Sequence, residues 1–191
     1  MAENKVRFGL KNVYYAVLTE GATNAWATPV HVAGAVSLTL DDASSSNPFY
    51  AANITYYRTF ANNGYTGSLE MALIPEAMLA DIWGIEENAT DKIIYEKTGV
   101  QPKPFALLFE VDGDQDSELN LLYRVLPTSK PNAGSSTIED SPSPITQSFN
   151  IEALPLVTGA VSQLGLIKAR TAEDTPAATR TAWFTSVHVP T

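Results

Sequence analysis

Apolar and polar residues alternate along much of the chain in short runs, which is the pattern of β-strands that bury one face. The alternation is strict over residues 5–11, 65–73 and 145–152, whereas residues 104–111 are apolar on both faces, as in a central strand. Further β-prone runs occupy residues 13–18, 30–40, 49–60, 92–96, 119–126, 164–170 and 182–189. With about eight to ten strands and one helix, this pattern predicts a mainly-β fold, a β-sandwich or a partly open barrel.

The one helix is predicted at residues 75–84. Pro75 suits the first helical position, where its missing N–H costs nothing, and Gly84 suits a left-handed C-terminal cap. The large apolar side chains of this segment fall on one side: Met78, Leu79, Ile82 and Trp83. Because such a short helix is not stable alone, we expect it to lie as a lid on the sheet.

Two turns are predicted around the middle of the chain. The dipeptide Asn63-Gly64 tolerates positive φ, which predicts a hairpin turn between a strand ending at Phe60 and a strand beginning at Tyr65. Residues 41–48 (DDASSSNP) contain turn-forming residues, which predicts the tip of a long hairpin joining residues 30–40 to residues 49–60.

A protruding hairpin of this length is hard to stabilise in an isolated domain, so it is either mobile or packed on another chain. The second interpretation is favoured. The predicted inter-subunit contacts are Asp41, Asp42, Ser44, Ser45, Ser46, Asn47, Pro48, Phe49 and Tyr50.

The bulk composition predicts one globular domain spanning residues 1–191, because 45% of the residues are hydrophobic and 17% are charged. The N-terminus has no apolar signal region and no run approaches membrane-spanning length, so we expect a soluble protein that starts in the cytosol. The absence of cysteine excludes disulfides and thiolate chemistry. A net charge of -9 with scattered basic residues disfavours a general DNA-binding surface.

The sequence offers no catalytic, cofactor or metal site that we would assign. The two histidines, His31 and His188, both fall in predicted strands, and no nucleophile elbow, phosphate-binding loop or zinc motif accompanies them. Carboxylates at 112, 114 and 116 match the start of a calcium loop, but Ser117 and Tyr123 stand where glycine and glutamate are required. An acidic hairpin turn is therefore the favoured interpretation of residues 112–118, with calcium binding left open.

Four tyrosines cluster around the predicted hairpin: Tyr50, Tyr56, Tyr57 and Tyr65. Burial in the core is the simplest expectation for them, a subunit interface is the next, and a sugar-stacking face is a third. Residues 127–144 are long, proline-rich and serine-rich, which is typical of a functional or disordered loop.

Several of these segments together resemble a known family, the major tail proteins or tail tube proteins of long-tailed, non-contractile phages and prophages of Gram-positive bacteria. Residues 62–70 are similar to its N-x-G-Y-T-G-x-L-E signature. The other similar segments are residues 8–13, Pro29 and Val30, residues 34–36 and 38–41, 105–114 and 168–170, Trp183-Phe184, Val187 and Pro190. The chain departs from the family at Ala52, where an acidic residue is common, and it lacks the additional immunoglobulin-like domain of some members.

This resemblance implies a β-sandwich with one flanking helix, of which six copies close into a ring through a continuous inner barrel. The rings stack into a hollow tube for the genome, with a tape-measure protein inside and terminator and baseplate proteins at the ends. It implies a virion tail assembled in the host cytoplasm, and no enzymatic activity, cofactor or membrane partner.

Within such a tube the acidic chain predicts a net negative lumen, through which genomic DNA passes without specific binding. The long loop and the terminal segments are predicted to be further arms exchanged between subunits. Deletion of residues 44–46 is predicted to spare folding of the monomer but to weaken ring stacking.

Two other functions remain open from the sequence. A carbohydrate- or cell-surface-binding β-sandwich is the first alternative, and a carboxylate-based glycosidase is the second. A binding module should stay monodisperse in solution, whereas a tube protein should form rings or filaments at high concentration.

Overall fold

The computed structural model describes residues 4–132 and 144–190, which form thirteen strands and two helices. The first seven strands are β1 (Arg7–Thr19), β2 (Ala25–Trp26), β3 (Val30–Val32), β4 (Ala35–Asp42), β5 (Ser45–Ala51), β6 (Ile54–Ala61) and β7 (Tyr65–Met71). They are followed by α1 (Glu76–Trp83), β8 (Glu86–Glu87), β9 (Ile94–Tyr95), β10 (Phe105–Gly113), β11 (Glu118–Pro127), β12 (Gln147–Ala153), β13 (Lys168–Arg170) and α2 (Ala177–Ala182).

Nine of these strands form one antiparallel sheet with the order β2-β1-β10-β11-β12-β7-β4, in which β13 also pairs with β11 and β3 with β1. The sheet curls on itself. Strand β3 pairs with β1 near one end of this order, and β4, which follows β3 after the turn at Ala33 and Gly34, pairs with β7 at the other end. Gly34 adopts a φ of 82°, which allows this tight turn.

A core lies on each side of the curled sheet. The inner core gathers side chains from β1, β7, β10, β11 and β12, and α1 closes it with Met78, Ile82 and Trp83. The outer core lies over β1, β10 and β11 and is covered by the chain after residue 153, including Leu156 and Trp183. Both faces of β10 are therefore buried, as its apolar sequence predicted.

The predicted fold class is confirmed, because the chain is mainly β with one short helix flanking the core. Helix α1 spans nearly the predicted residues, and Gly84 caps it in the left-handed conformation with a φ of 66°. Pro75 is the N-cap rather than the first helical residue. The hairpin turn between β10 and β11 also matches its prediction at residues 112–118.

The path of the long hairpin differs from the prediction. Residues 41–48 are not its tip, because they lie in strands β4 and β5 and in the short link between them. The tip is Ala52-Asn53, with φ values of 52° and 62°. Asn63-Gly64 is not a hairpin turn, because β6 pairs with β5 whereas β7 pairs with β4 and β12.

The C-terminal region also differs from its prediction. Residues 182–189 are not a strand, since α2 and the irregular segment after it occupy this region. Nor is the C-terminal segment a free arm within the residues described, because Trp183 is only 3% exposed and the Tyr123 hydroxyl donates to the carbonyl of His188. At the other end, the Asn4 side chain bonds to the backbone of residues 115 and 116. Most of the predicted long loop, residues 133–143, lies outside the described residues.

Candidate functional site: the arm and the polar face

Strands β5 and β6 form a two-stranded ribbon, here called the arm (residues 45–61), that leaves the sheet where β4 and β7 end. Among the residues that the structure describes, the two strands pair only with each other. The chain enters the arm through residues 43–44 and leaves it through residues 62–64, and we call these two links the neck. Strand β5 has seven residues, so the arm reaches about 23 Å beyond the neck at ~3.3 Å per residue.

The neck is held by short-range hydrogen bonds. The carboxylate of Asp42 accepts the backbone N–H of Ser44 at 2.9 Å and its hydroxyl at 2.5 Å, and these bonds lower the pKa of Asp42. Across the neck, the backbone N–H of Ala43 donates to the carbonyl of Gly64, and the Asn63 amide donates to the carbonyl of Ala43. The arm therefore continues the β4–β7 hairpin with a defined connection.

Gly64 is required at the neck for two reasons. Its φ of 96° is one that side-chain-bearing residues rarely adopt, and a Cβ there would lie 1.9 Å from the carbonyl oxygen of Ala153. Gly67 is required for close approach, since a Cβ at this position would lie 1.9 Å from the carbonyl oxygen of Thr39. Both glycines of the G-Y-T-G segment thus let β7 fit tightly against its neighbours.

The arm exposes large apolar side chains on both of its faces. Cross-strand pairing places Phe60 and Arg58 on one face, opposite Ser46 and Pro48, and sets Phe49 opposite Tyr57 on the other. The exposed large side chains of the arm are Phe49, Tyr50, Ile54, Tyr56, Tyr57 and Phe60, each more than 60% exposed. Apolar surface of this extent on a projecting ribbon is typical of an interaction site.

This exposure corrects the expectation that the tyrosines around the hairpin are buried in the core. Tyr50, Tyr56 and Tyr57 lie on the arm and are exposed, whereas Tyr65 begins β7 and is half-buried against the inner core. Burial in the core is therefore ruled out for the three tyrosines of the arm. A subunit interface and a sugar-stacking face are the two interpretations that remain for these three residues.

The predicted contact residues are divided between three parts of this region. Asp41 and Asp42 end β4, Ser44 belongs to the neck, and the remaining six residues, from Ser45 to Tyr50, form most of β5. The predicted contact set left out β6, which carries most of the arm's exposed apolar side chains, although residues 49–60 were predicted as a β run. The sequence did contain a signal for this exposure. Tyr56 and Tyr57 are adjacent and therefore point to opposite faces of β6, so neither face of the strand is purely polar.

A second surface lies on the outer side of β4, β7 and β12, beside the neck. The strand registers align nine polar side chains in three rows: Ser37, Glu70 and Ser148; Thr39, Ser68 and Asn150; Asp41, Thr66 and Glu152. We call this surface the polar face. It holds three carboxylates and no basic side chain, so its potential is negative at neutral pH.

Glu70 is fixed within the polar face by two hydroxyl donors. Thr146 donates to one carboxylate oxygen at 2.6 Å and Ser37 to the other at 2.9 Å. These bonds favour the charged form and hold the pKa of Glu70 below its ordinary value. The negative charge of the polar face therefore persists at mildly acidic pH.

Two stretches of strand edge have no pairing partner in the described part of the chain. Strand β4 pairs with β7 on one side only, and residues 7–12 of β1 pair only with β10. Unpaired edges of this kind are templates for strand pairing with another chain.

The acidic turn predicted at residues 112–118 uses its carboxylates internally. Asp112 pairs with Lys11 at 2.5 Å, Asp114 accepts the backbone N–H of Lys5 at 2.8 Å, and Asp116 pairs with Arg180 at 2.8 Å. Across residues 4–132 and 144–190, no group of three or more histidine or acidic side chains is placed to hold a metal ion.

Each of the two histidines packs against an aromatic ring. His31 contacts the ring of Tyr14 with a centroid distance of 4.9 Å, and His188 stacks on Trp183 at 5.9 Å. His188 lies outside any strand, unlike its prediction. Among the residues that the structure covers, no helix has the length and apolarity needed to span a membrane.

No protein-family model matches the chain, and no curated protein matches it either.

Proposed function

We propose that this protein is the self-assembling subunit of a phage tail tube, in which rings of identical copies stack around a channel for DNA. The observation that carries the proposal is the arm. A ribbon that exposes six large apolar side chains and pairs with no other strand in the described part of the chain gains stability by packing on another copy.

The open strand edges support lateral closure of a ring. Pairing the free edge of β4 with a neighbouring copy extends the sheet across the subunit boundary and satisfies backbone groups that the monomer leaves to water. Closed rings of this kind, six copies in the resembled family, have no remaining edges.

The polar face supports a channel that conducts DNA without binding it. It is continuous with the strands that carry the arm, and it presents hydroxyl, amide and carboxylate groups without a basic side chain. When it lines the lumen, its carboxylates repel phosphates, so DNA passes freely. The protein is then a structural component of the virion tail, assembled in the host cytoplasm, with neither enzymatic activity nor a cofactor.

Removal of the arm tests the proposal. Replacing residues 46–60 with Asn-Gly closes the ribbon at the Ser45–Ala61 pair, which is a two-residue hairpin that the flanking strands accept. We expect a folded monomer with unchanged thermal unfolding but without rings or tubes in negative-stain microscopy. Tubes formed by the shortened protein in undiminished yield would contradict the proposal.

The matched control keeps the arm and changes only its tip. Replacing Ala52-Asn53 with Asn-Gly preserves the two positive φ values in residues that adopt them readily. This variant should assemble like the original protein. Monodisperse behaviour of the original protein at high concentration, together with binding of oligosaccharides to the exposed tyrosines, would instead favour the carbohydrate-binding alternative.

A further inference from the structure

An apolar groove lies between α1 and the short β8–β9 hairpin. Its volume is about 650 Å³. The apolar residues lining it include Leu73, Pro75, Leu79, Ile85 and Ile94, and Leu73 is 69% exposed. Glu76 and Gln147 also lie at this groove.

The groove and the arm lie at opposite ends of the same strands. Strand β7 meets the neck at Tyr65, and six residues later it ends at Met71, two residues before the groove residue Leu73. The partner strand β12 begins at Gln147, which lines the groove, and pairs with Met71. A copy shifted along the direction of β7 therefore brings its arm toward the groove of the copy behind it.

We infer that the arm of one copy docks in the groove of the next copy, which makes the stacking contact head-to-tail. The inference rests on the proposed function in requiring that copies of this chain assemble, and it names the partner surface of the arm. Two different patches meet in such a contact, so each copy retains a free arm and a free groove, and the association propagates.

The sizes of the two surfaces fit. A volume of about 650 Å³ lies within the range of ~300–1,000 Å³ typical of pockets that enclose a ligand, so it can accept several aromatic side chains but not a folded domain. The arm supplies such side chains on a ribbon long enough to project them beyond the domain, with Tyr56 and Phe60 on β6 the most exposed.

The charges of the two surfaces are complementary. Arg58 is the only charged residue of the arm, and it is exposed between Tyr56 and Phe60 along β6. The carboxylates lining the groove are Glu76, Glu86 and Glu87. Glu86 and Glu87 already pair with Lys97 and Lys92, whereas Glu76 has no such partner among the described residues. Glu76 is therefore the carboxylate in the groove that is available to Arg58.

A charge exchange between copies tests this pairing. Arg58→Glu and Glu76→Arg should each lower the association constant for stacking by about tenfold or more, because each places like charges in contact. The double variant carrying both substitutions should recover most of this loss. Association is measured by sedimentation velocity and by tube length in negative-stain images.

The matched control pairs Arg58→Glu with Asp174→Arg, which has the same net charge but reverses an exposed carboxylate outside the groove. It should remain as weak as Arg58→Glu alone. If the original protein stacks and the Arg58–Glu76 exchange recovers no more than this control, the docking site is wrong while the proposed function stands. If the original protein never associates, both are wrong.

Cross-linking locates the contact directly, because the chain contains no cysteine. Protein carrying Tyr56→Cys is mixed with protein carrying Leu73→Cys, assembled and oxidised. We expect a covalent dimer of the two variants on non-reducing gels. Its absence from assembled tubes would overturn the inference, with Tyr56→Cys mixed with Asp174→Cys setting the background for random collision.

Discussion

Individual residues at the neck and in the two cores determine how precisely the strands fit together. At Gly64 the backbone conformation and the contact with the Ala153 carbonyl both exclude a side chain. In the outer core the Tyr123 hydroxyl is buried and donates to the carbonyl of His188 at 2.9 Å. On the inner side, the Tyr15 hydroxyl donates to Asp81 of α1 at 2.8 Å, which ties the helix to β1.

Gly64→Ala should lower the free energy of unfolding by about 3 kcal/mol or more, because the new Cβ meets a carbonyl oxygen and the φ is unfavourable. Gly99→Ala is the control, since its φ of 84° is similarly positive but no atom lies within 4 Å of the added Cβ. It should cost only about 1 kcal/mol. Urea denaturation measures both, and equal losses would show that the contact at Gly64 relaxes freely.

Stability should fall at alkaline pH because of the two buried tyrosines. Burial raises the pKa of Tyr123 from 10.0 to about 12, and burial and Asp81 raise the pKa of Tyr15 as well. Both groups ionise more readily in the unfolded chain. The contribution of each tyrosine to stability is therefore complete below about pH 10, and that of Tyr123 is lost as pH rises through about 12.

For Tyr123 this loss is on the order of 1 kcal/mol. Urea midpoints measured from pH 8 to 12 report it, and Tyr123→Phe should flatten the curve even though it removes one hydrogen bond. If the urea midpoint falls with pH equally in Tyr123→Phe and in the original protein, the loss of stability comes from other groups.

At the scale of elements, the C-terminal segment has a structural role that a strand prediction did not describe. It crosses β1, β10 and β11 and covers the outer core, with Trp183 fully enclosed and Phe184 stacked on Tyr14 at 4.6 Å. Without this segment, Leu108, Leu121 and Tyr123 would face water. The segment is therefore part of the domain rather than an exchanged arm.

Trp183→Ala should destabilise the fold by about 3–5 kcal/mol, since a buried aromatic side chain is removed and a cavity is left. Val161→Ala, in the same C-terminal region but 89% exposed, should change stability by less than about 0.5 kcal/mol. Thermal unfolding followed by near-ultraviolet circular dichroism compares the two. A small effect of Trp183→Ala would mean that the segment detaches easily and that the outer core tolerates exposure.

At the scale of the whole molecule, three surfaces are arranged along one set of strands. The arm leaves one end of β4 and β7, the groove lies at the other end of β7, and the polar face runs between them on the outer side. In a stacked tube this arrangement separates the adhesive contacts, at the two ends, from the polar surface that faces the channel. If the proposed function is correct, the charge of the polar face should decide whether the tube retains DNA.

Reversing the charge of the polar face should make assembled tubes retain DNA. Asp41→Lys with Glu152→Lys changes its net charge from negative to positive, so that duplex DNA entering the lumen should bind and become protected from nuclease. Protection should decrease as salt rises.

Glu173→Lys with Asp174→Lys is the control, because it changes the net charge equally at an exposed turn away from the polar face. DNA bound by this variant should remain accessible to nuclease. Equal protection in both variants would show that the polar face does not line the channel.

Local periodicity and capping residues were sufficient to predict the mainly-β class, the boundaries of α1 and the burial of β10, because they specify these features without reference to distant parts of the chain. The sequence also indicated a long hairpin near residue 50. The sequence pattern did not predict the strand pairing correctly. Ser45 and Asn47 are residue types common in turns, but here they lie in a strand because they pair with Ala61 and Thr59.

The pairing of the strands, and hence the position of the three surfaces, is seen only in the folded structure. The polar face exists because β4, β7 and β12 meet in a register that aligns residues more than 80 positions apart. The arm is exposed because β5 and β6 leave the sheet at the neck and pair with no third strand in residues 4–132 and 144–190. Such features depend on contacts between distant segments, which local sequence patterns do not encode.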